Sequence, residues 1–251
     1  VAVTAEEIAS VICERTAVVT ATHVDYRSAH ILDAASITRA AHQHGALMVW
    51  DLAHTTGAVP FNASELDIDF AVGCGYKYLN GGPGAPAFIY VAPRLLETAS
   101  QPLQGWFGHA LPFEFELAYR PAEGIARFLT GTANVLSMKS LEAALEVFDS
   151  VPMSDIRAKN QSLTSFFVEI YDEFLADQGF SLRSPRDAEN RGSHVALGYT
   201  DGKALLETLA TQGILADFRP PDLLRVGFSA LYNTHRDALE LAKRLSPIDL
   251  L

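Results

Sequence analysis

Two cysteines, three methionines and two tryptophans in 251 residues set the first limits on this chain. Cys13 and Cys74 stand far apart, without a CxxC pattern and without a histidine at ligand spacing. That argues against a disulfide framework and makes a reducing compartment, the cytoplasm, the expectation. His23, His109 and His194 form no zinc spacing with a cysteine or an acid, so no metal is expected. Long apolar runs are missing too: the longest are strand-sized, too short to cross a bilayer, and no signal-peptide pattern is visible. Basic charge is scarce, with 19 Lys and Arg against 30 Asp and Glu and a formal net charge of −11. No Lys/Arg cluster supplies the patch that phosphate backbones require. Neither nucleic acid nor a membrane is therefore an expected partner.

What is present is an ordinary globular composition, 49% hydrophobic and 20% charged. A chain of this length buries roughly three quarters of the surface its unfolded form exposes, enough for a real core. It begins at Val1 without a methionine, and its first recognisable element reads as a buried strand, so the expectation is a fragment or a processed chain.

Residues Thr16 to Thr22 are apolar and β-branched, which predicts a strand buried on both faces. Asp33 suits the N-cap of a helix from Ala34 to His44, closed by Gly45, and a strand from Ala46 to Trp50 follows. Strand, helix and strand with short connections make a βαβ unit and hence a parallel sheet. Asp69 to Gly75 reads as a further strand leading into Tyr76 and Lys77. Asn80-Gly81-Gly82-Pro83-Gly84 is turn chemistry, not a P-loop, and Ala87 to Val91 reads as the returning strand of a hairpin. Gln101 to Gly131 is long, aromatic and weakly periodic, as functional or interfacial loops are.

Helical spacing then dominates, from Met138 to Phe148 and from Ser154 to Leu175. A strand at Ser193–Leu197, a helix at Lys203–Gln212, strands at Ile214–Phe218 and Leu223–Phe228 and a helix opened by the Thr234-x-x-Asp237 capping box complete the pattern. The expected class is α/β: a mostly parallel sheet with flanking helices in residues 1–153, and a smaller α+β domain in residues 154–251.

Chemistry concentrates in Trp50-Asp51-Leu52-Ala53-His54 and in Gly75-Tyr76-Lys77-Tyr78-Leu79-Asn80-Gly81-Gly82-Pro83-Gly84. A carboxylate ends one predicted parallel strand and a lysine ends the next, and ligands of open parallel sheets bind at those carboxyl ends. Pyridoxal phosphate needs such a pair: an amine to carry its aldehyde, and a carboxylate to keep its pyridine nitrogen protonated. On spacing alone, an Asp51–Lys77 salt bridge explains the pair as well.

These two blocks, with Gly105-Trp106-Phe107-Gly108-His109, Arg191-Gly192-Ser193-His194-Val195-Ala196-Leu197 and the run from Leu223 to Asn233, resemble the kynureninase family in order and spacing over nearly the whole chain. The resemblance implies the type I fold of pyridoxal-5'-phosphate-dependent transferases. It implies hydrolysis of the Cβ–Cγ bond of L-kynurenine or 3-hydroxykynurenine, giving L-alanine and an anthranilate, as in tryptophan catabolism and NAD biosynthesis. It assigns the cofactor lysine and proton carrier to Lys77, the pyridine-nitrogen partner to Asp51, and cofactor-pocket roles to Thr22 and His54. Tyr76 would bind the phosphate and assist proton transfer. Trp106 and Thr132, with Asn134 as the alternative to the latter, would reach the phosphate of a neighbouring subunit, so a homodimer with shared sites is implied. Arg225 would hold the carboxylate of a small amino-acid substrate. Family members also carry a sizeable segment before these blocks.

Each role has a plainer competitor. Trp106 and Phe107 suit a core or an interface, His54 a satisfied histidine, and Arg225 a buried pair with Asp217, since an unpartnered buried guanidinium is too costly. His42 and His44 share no helix face and read as surface residues. The alternative activities are another class V enzyme, a cysteine desulfurase or aminotransferase, and an inactive structural module. Tyr76, where desulfurases usually carry histidine, and the lack of any cysteine after Cys74 count against the first.

Overall fold

A computed structural model describes residues 3–245, so the outermost residues of both expected domains lie outside the described residues. The first element is helix α1 (Ala5–Val11), not a strand. The Thr4 hydroxyl accepts from the Glu7 N–H at 3.2 Å, and the Glu7 carboxylate accepts from the Thr4 N–H at 2.8 Å. That capping box satisfies two N–H groups that the helix start leaves open.

Strands β1 (Val18–Thr22), β2 (Leu47–Asp51) and β3 (Phe70–Cys74) are parallel neighbours, and β4 (Ala87–Val91) returns antiparallel beside β3. Between β1 and β2 runs α2 (Ala34–Gln43). It is capped by Asp33, whose carboxylate accepts from the Ser36 N–H at 3.0 Å, and is followed by Gly45 in the left-handed region at φ 72°. Ile37 and Ala41 of α2 pack with Met48 and Trp50 of β2, and the Trp50 indole N–H donates to Thr38 Oγ1 at 3.1 Å. An indole of this size is buried without penalty only when its N–H finds such a partner.

The expectation that β1 is buried on both faces is corrected. Val19 is buried while Val18 is 51% exposed, and Leu47, Val72 and Ile89 are exposed on the same side of the sheet. Parallel strands read as continuous apolar runs because helices cover both faces. Here α1 and α2 supply a layer on one face only, among the described residues. His42 departs from its surface reading as well: its Nε2 lies 2.9 Å from Asp69, a buried carboxylate that also accepts from the Met48 N–H and from Arg94. His42 thus meets that carboxylate while its side chain stays 30% exposed.

After the long segment come α3 (Val135–Leu145), α4 (Met153–Ile170) with a π turn at Tyr171–Leu175, α5 (Gly202–Thr211) and α6 (His235–Leu245). They accompany a second sheet, antiparallel throughout, in the order β5 (Ser181–Leu182), β6 (His194–Gly198), β8 (Leu223–Gly227), β7 (Asp217–Arg219). The strand expected at Ile214–Phe218 shrinks to the end of that range and β7, and α3 starts three residues before its expected beginning because Asn134 caps it. Leu163, Phe167, Val195, Leu197, Leu209, Leu224 and Leu241 form a closed core under this sheet. The class is the expected one, a mixed sheet with flanking helices and a second, smaller sheet.

Backbone pairing joins the two sheets. Gly192 N–H donates to Ala29 O at 2.8 Å, Ile31 N–H to Asn190 O at 3.0 Å, and the Asn160 amide of α4 to Ala58 O at 3.1 Å. Arg191 is wholly buried at this junction and donates to two carbonyls and to Ser165 Oγ, so its charge is hydrogen-bonded, not bare.

Candidate active site

The carboxyl ends of β1, β2 and β3 bring three predicted residues into one place. Thr22 pairs in register with Asp51, and Asp51 with Val72, just before the turn that carries Tyr76 and Lys77. A cavity of about 320 Å³ is lined by Thr22, Tyr26, Asp51, His54, Tyr76, Lys77, Arg219 and Arg225. A neighbouring one of about 470 Å³ shares His54, Tyr76, Lys77, Arg219 and Arg225 and extends over Tyr78, Asn80, Asp217 and Tyr232. A larger cleft of about 660 Å³ runs along β1 past Arg27 and His30, but it shares only Thr22 with this chemistry and holds no lysine.

Local backbone explains the position of Lys77. Gly75 N–H donates to Pro86 O and Gly81 N–H to Gly75 O, both at 2.9 Å, so the chain doubles back beneath the lysine. A Cβ on Gly75 or Gly81 would lie 2.8 Å from a carbonyl oxygen, and Asn80 and Gly82 take the positive φ the turn needs. Lys77 Nζ lies 5.6 Å from the centroid of the Tyr76 ring. Asp51 accepts from the Ala53 N–H at 2.8 Å, which leaves its second oxygen for a ligand, and no ion pair ties it to Lys77.

His54 stands beside them, its pKa pushed down to about 4 by burial first and then by the cations Lys77 and Arg225. It is therefore a neutral imidazole at neutral pH. Burial likewise pushes the Tyr78 phenol above its ordinary range. Thr22 Oγ1 donates to Val24 O at 3.0 Å, which holds its side chain at the strand end.

Arg225 comes from the second sheet. Its Nε donates to Asp217 Oδ1 at 2.7 Å, its Nη2 to Asp217 Oδ2, and its Nη1 to Tyr26 O. Asp217 was the plainer partner in the sequence, and the structure forms that pair. Burial raises the Asp217 carboxyl, but the hydrogen bonds and charge of Arg225, with Arg219 at 3.0 Å, outweigh it and hold the group below the usual carboxylate range. Three of the guanidinium's five N–H groups are engaged, and two remain for another anion.

Trp106 and Thr132 are not brought to Lys77 within one chain. Trp106 is half exposed, lies tilted against Phe107 and lines a separate groove with His109 and Phe115, while Thr132 is exposed. Asn134 is occupied as the cap of α3. Residues the sequence reading did not single out also line the cavity, namely Tyr26, His194, Arg219 and Tyr232. For His194 the sequence carries no signal, because its place on the face that carries Arg225 depends on the pairing register of β6 with β8.

With the geometry in place, comparison with known proteins gives a consistent relation. Residues 156–245 match the family model described as "Kynureninase C-terminal domain". The chain is 41% identical over 243 residues to the kynureninase of Pseudomonas fluorescens, covering 97% of this chain and 58% of that protein. It is 47% identical over 220 residues to the kynureninase of Deinococcus radiodurans, covering 88% of this chain and 54% of the relative. The chain thus spans a little over half the length of these relatives. Among solved structures it resembles a C-DES mutant with glycine covalently linked to the PLP cofactor, at TM-score 0.84 and 18% identity, over 98% of this chain and 64% of that one. An apo cysteine desulfurase from Thermococcus onnurineus NA1 matches at TM-score 0.81 and 19% identity, over 95% and 61%. At such identities the structural likeness speaks for the fold.

Proposed function

We propose, from the premise that this chain is kynureninase-like over the whole region it shares with those relatives, that it forms the Lys77-bearing part of a pyridoxal-phosphate enzyme. The reaction is hydrolysis of the Cβ–Cγ bond of L-kynurenine or 3-hydroxykynurenine to L-alanine and an anthranilate. The observation that carries this reading is one cavity in which Lys77 and Asp51 end adjacent parallel strands without pairing to each other. The site fits the cofactor: an amine for its aldehyde, a carboxylate with an open oxygen for its ring nitrogen, and a neutral imidazole beside them.

When bound, pyridoxal phosphate supplies an electron sink for the bonds at the substrate's Cα. The chain's residues supply position and protons. Lys77 would hold the group through its ε-amine, and the same amine would move the proton at the substrate's Cα. Asp51 keeps the ring nitrogen protonated, and Thr22 and His54 line the ring pocket. Tyr76 binds the phosphate, and its phenol serves as a proton donor. Arg225 holds the substrate's carboxylate through the two N–H groups that Asp217 and Tyr26 leave open.

The assembly we propose is a homodimer in which a second copy delivers Trp106 and Thr132 to the phosphate. Support comes from the absence of both residues from the lining of the Lys77 cavity and from the exposed Phe113, Phe115 and Leu117 beside Trp106. A contiguous apolar surface of that kind is unusual on a monomer. Localisation in the cytoplasm is proposed on the two free thiols, Cys13 and Cys74. The proposed domain division, 1–153 and 154–251, rests on the two separate cores.

The test is to add cofactor to the purified protein, read the visible band of lysine-bound pyridoxal phosphate, reduce with borohydride and map the adduct. A pyridoxyl group on Lys77, followed by anthranilate release from L-kynurenine, is the expected result. With excess cofactor and neither band nor adduct, the chain is not a working enzyme as it stands, and the structural-module reading replaces this one.

A further inference from the structure

His194 opens β6, where it pairs with Gly227, while Ala196 pairs with Arg225. Two-residue periodicity therefore places His194 and Arg225 on the same face of the second sheet, as diagonal neighbours. The His194 side chain is 3% exposed, lines the cavity that holds Lys77, Tyr76 and Arg225, and lies 5.8 Å from the His54 ring. Its Nε2 has no hydrogen-bond partner. Buried polar atoms are nearly always paired, and the exceptions cluster where a ligand completes the pairing.

The surroundings select the ligand. Burial, then the neighbouring His54 and Arg225, push the His194 pKa down to about 3, so the imidazole is uncharged, keeps one N–H to donate and adds nothing to the positive charge of Lys77, Arg219 and Arg225. Gly227, its cross-strand partner, carries no side chain, and a Cβ there would meet nothing nearer than Tyr78 Oη at 3.9 Å. Arg225 has two N–H groups to offer an incoming carboxylate, which has lone pairs left for a third donor.

We propose that the His194 imidazole donates a hydrogen bond to the α-carboxylate of the bound amino acid, beside Arg225, and so helps the site select amino acids over simple amines. The proposal rests on the reading of the Lys77 cavity as a pyridoxal-phosphate site. It adds a second residue to carboxylate recognition.

The test uses the cofactor-loaded protein and two amines, L-alanine and ethylamine, which differ by the carboxylate. Each is titrated against the visible band of the lysine-bound cofactor, so binding is read without turnover. His194→Phe keeps the ring shape and removes both nitrogens; His194→Gln keeps a donor. L-Alanine binding is expected to weaken roughly tenfold or more in His194→Phe and to recover largely in His194→Gln, as for a hydrogen bond to a charged group. Ethylamine binding stays at the wild-type level in both. If His194→Phe does not retain cofactor, His194→Ala is titrated in its place. Equal L-alanine binding by wild type and the donor-less variant overturns the proposal, as does equal weakening for both amines. A wild-type protein that shows no band with excess cofactor overturns the underlying reading, whereas a normal band without discrimination removes only the role of His194.

Discussion

The first sheet carries the lysine and carboxylate and is covered on one side; the second sends Arg225 and His194 to the same cavity from above an enclosed core. β6 is buried along its whole length, packed between α4 and the junction with the first sheet. β1 to β3 expose Val18, Leu47 and Val72 on one face while Val19, Met48 and Ala71 are buried on the other. The contrast separates two tasks. Free energy of folding is concentrated where apolar side chains are enclosed, whereas reactivity sits where strand ends open into a cavity.

The sharpest way to break this comparison is at Lys77. Lys77→Ala is expected to lower activity by about 10³-fold or more and to leave the unfolding transition nearly unchanged, since the lysine contributes little to either core. A large loss of stability in thermal or urea unfolding would show that the two tasks are not separate. The converse change is Leu224→Ala in the second core, where Leu224 is fully buried. It should destabilise by roughly 2–5 kcal/mol in urea unfolding while the cofactor band of the folded protein persists.

Gly57→Ala probes the seam between chemistry and packing. Gly57 has φ 85°, and an added Cβ would stand 2.7 Å from Tyr78 O, next to the lysine turn. A cost of about 1–3 kcal/mol is expected, with weakened cofactor retention. Acid should act on the same region. His23 and His54 have pKa values of about 4, against about 6.5 for a free histidine, because burial disfavours their charged forms. The unfolded chain then binds more protons, so their effect on stability is neutral above pH 6.5 and turns unfavourable as pH falls towards 4. His23→Gln should flatten that decline in pH-dependent unfolding. The smallest effect is expected at the open face: Val72→Thr should change stability by no more than about 0.5 kcal/mol. A much larger loss would mean that this face is covered in solution.

Much of this was legible in the sequence, for local reasons. Asp33 and Gly45 bracket α2 because an N-cap acceptor and a left-handed residue end a helix wherever they stand. Asp51 and Lys77 announced themselves by standing at the ends of consecutive apolar runs. The capping box at Thr4 is equally local, since Thr4 and Glu7 stand three residues apart at the start of α1. The pairing of His42 with Asp69 had no local signal, since 27 residues separate them. The exposure of Val18 had none either, because an apolar run looks the same whether one face or both are covered.

The sequence alone therefore determined the elements, their class, the pair of residues suited to pyridoxal phosphate and the family resemblance, since these depend on nearest-neighbour chemistry and on periodicity. The tertiary structure alone decided that Arg225 meets Asp217 before any substrate, that His194 lines the lysine cavity with an unpaired ring nitrogen, and that Trp106 and Thr132 are absent from its lining. Those outcomes depend on which strand lies beside which. That choice is made by burial summed over the whole chain and is written in no single segment of it.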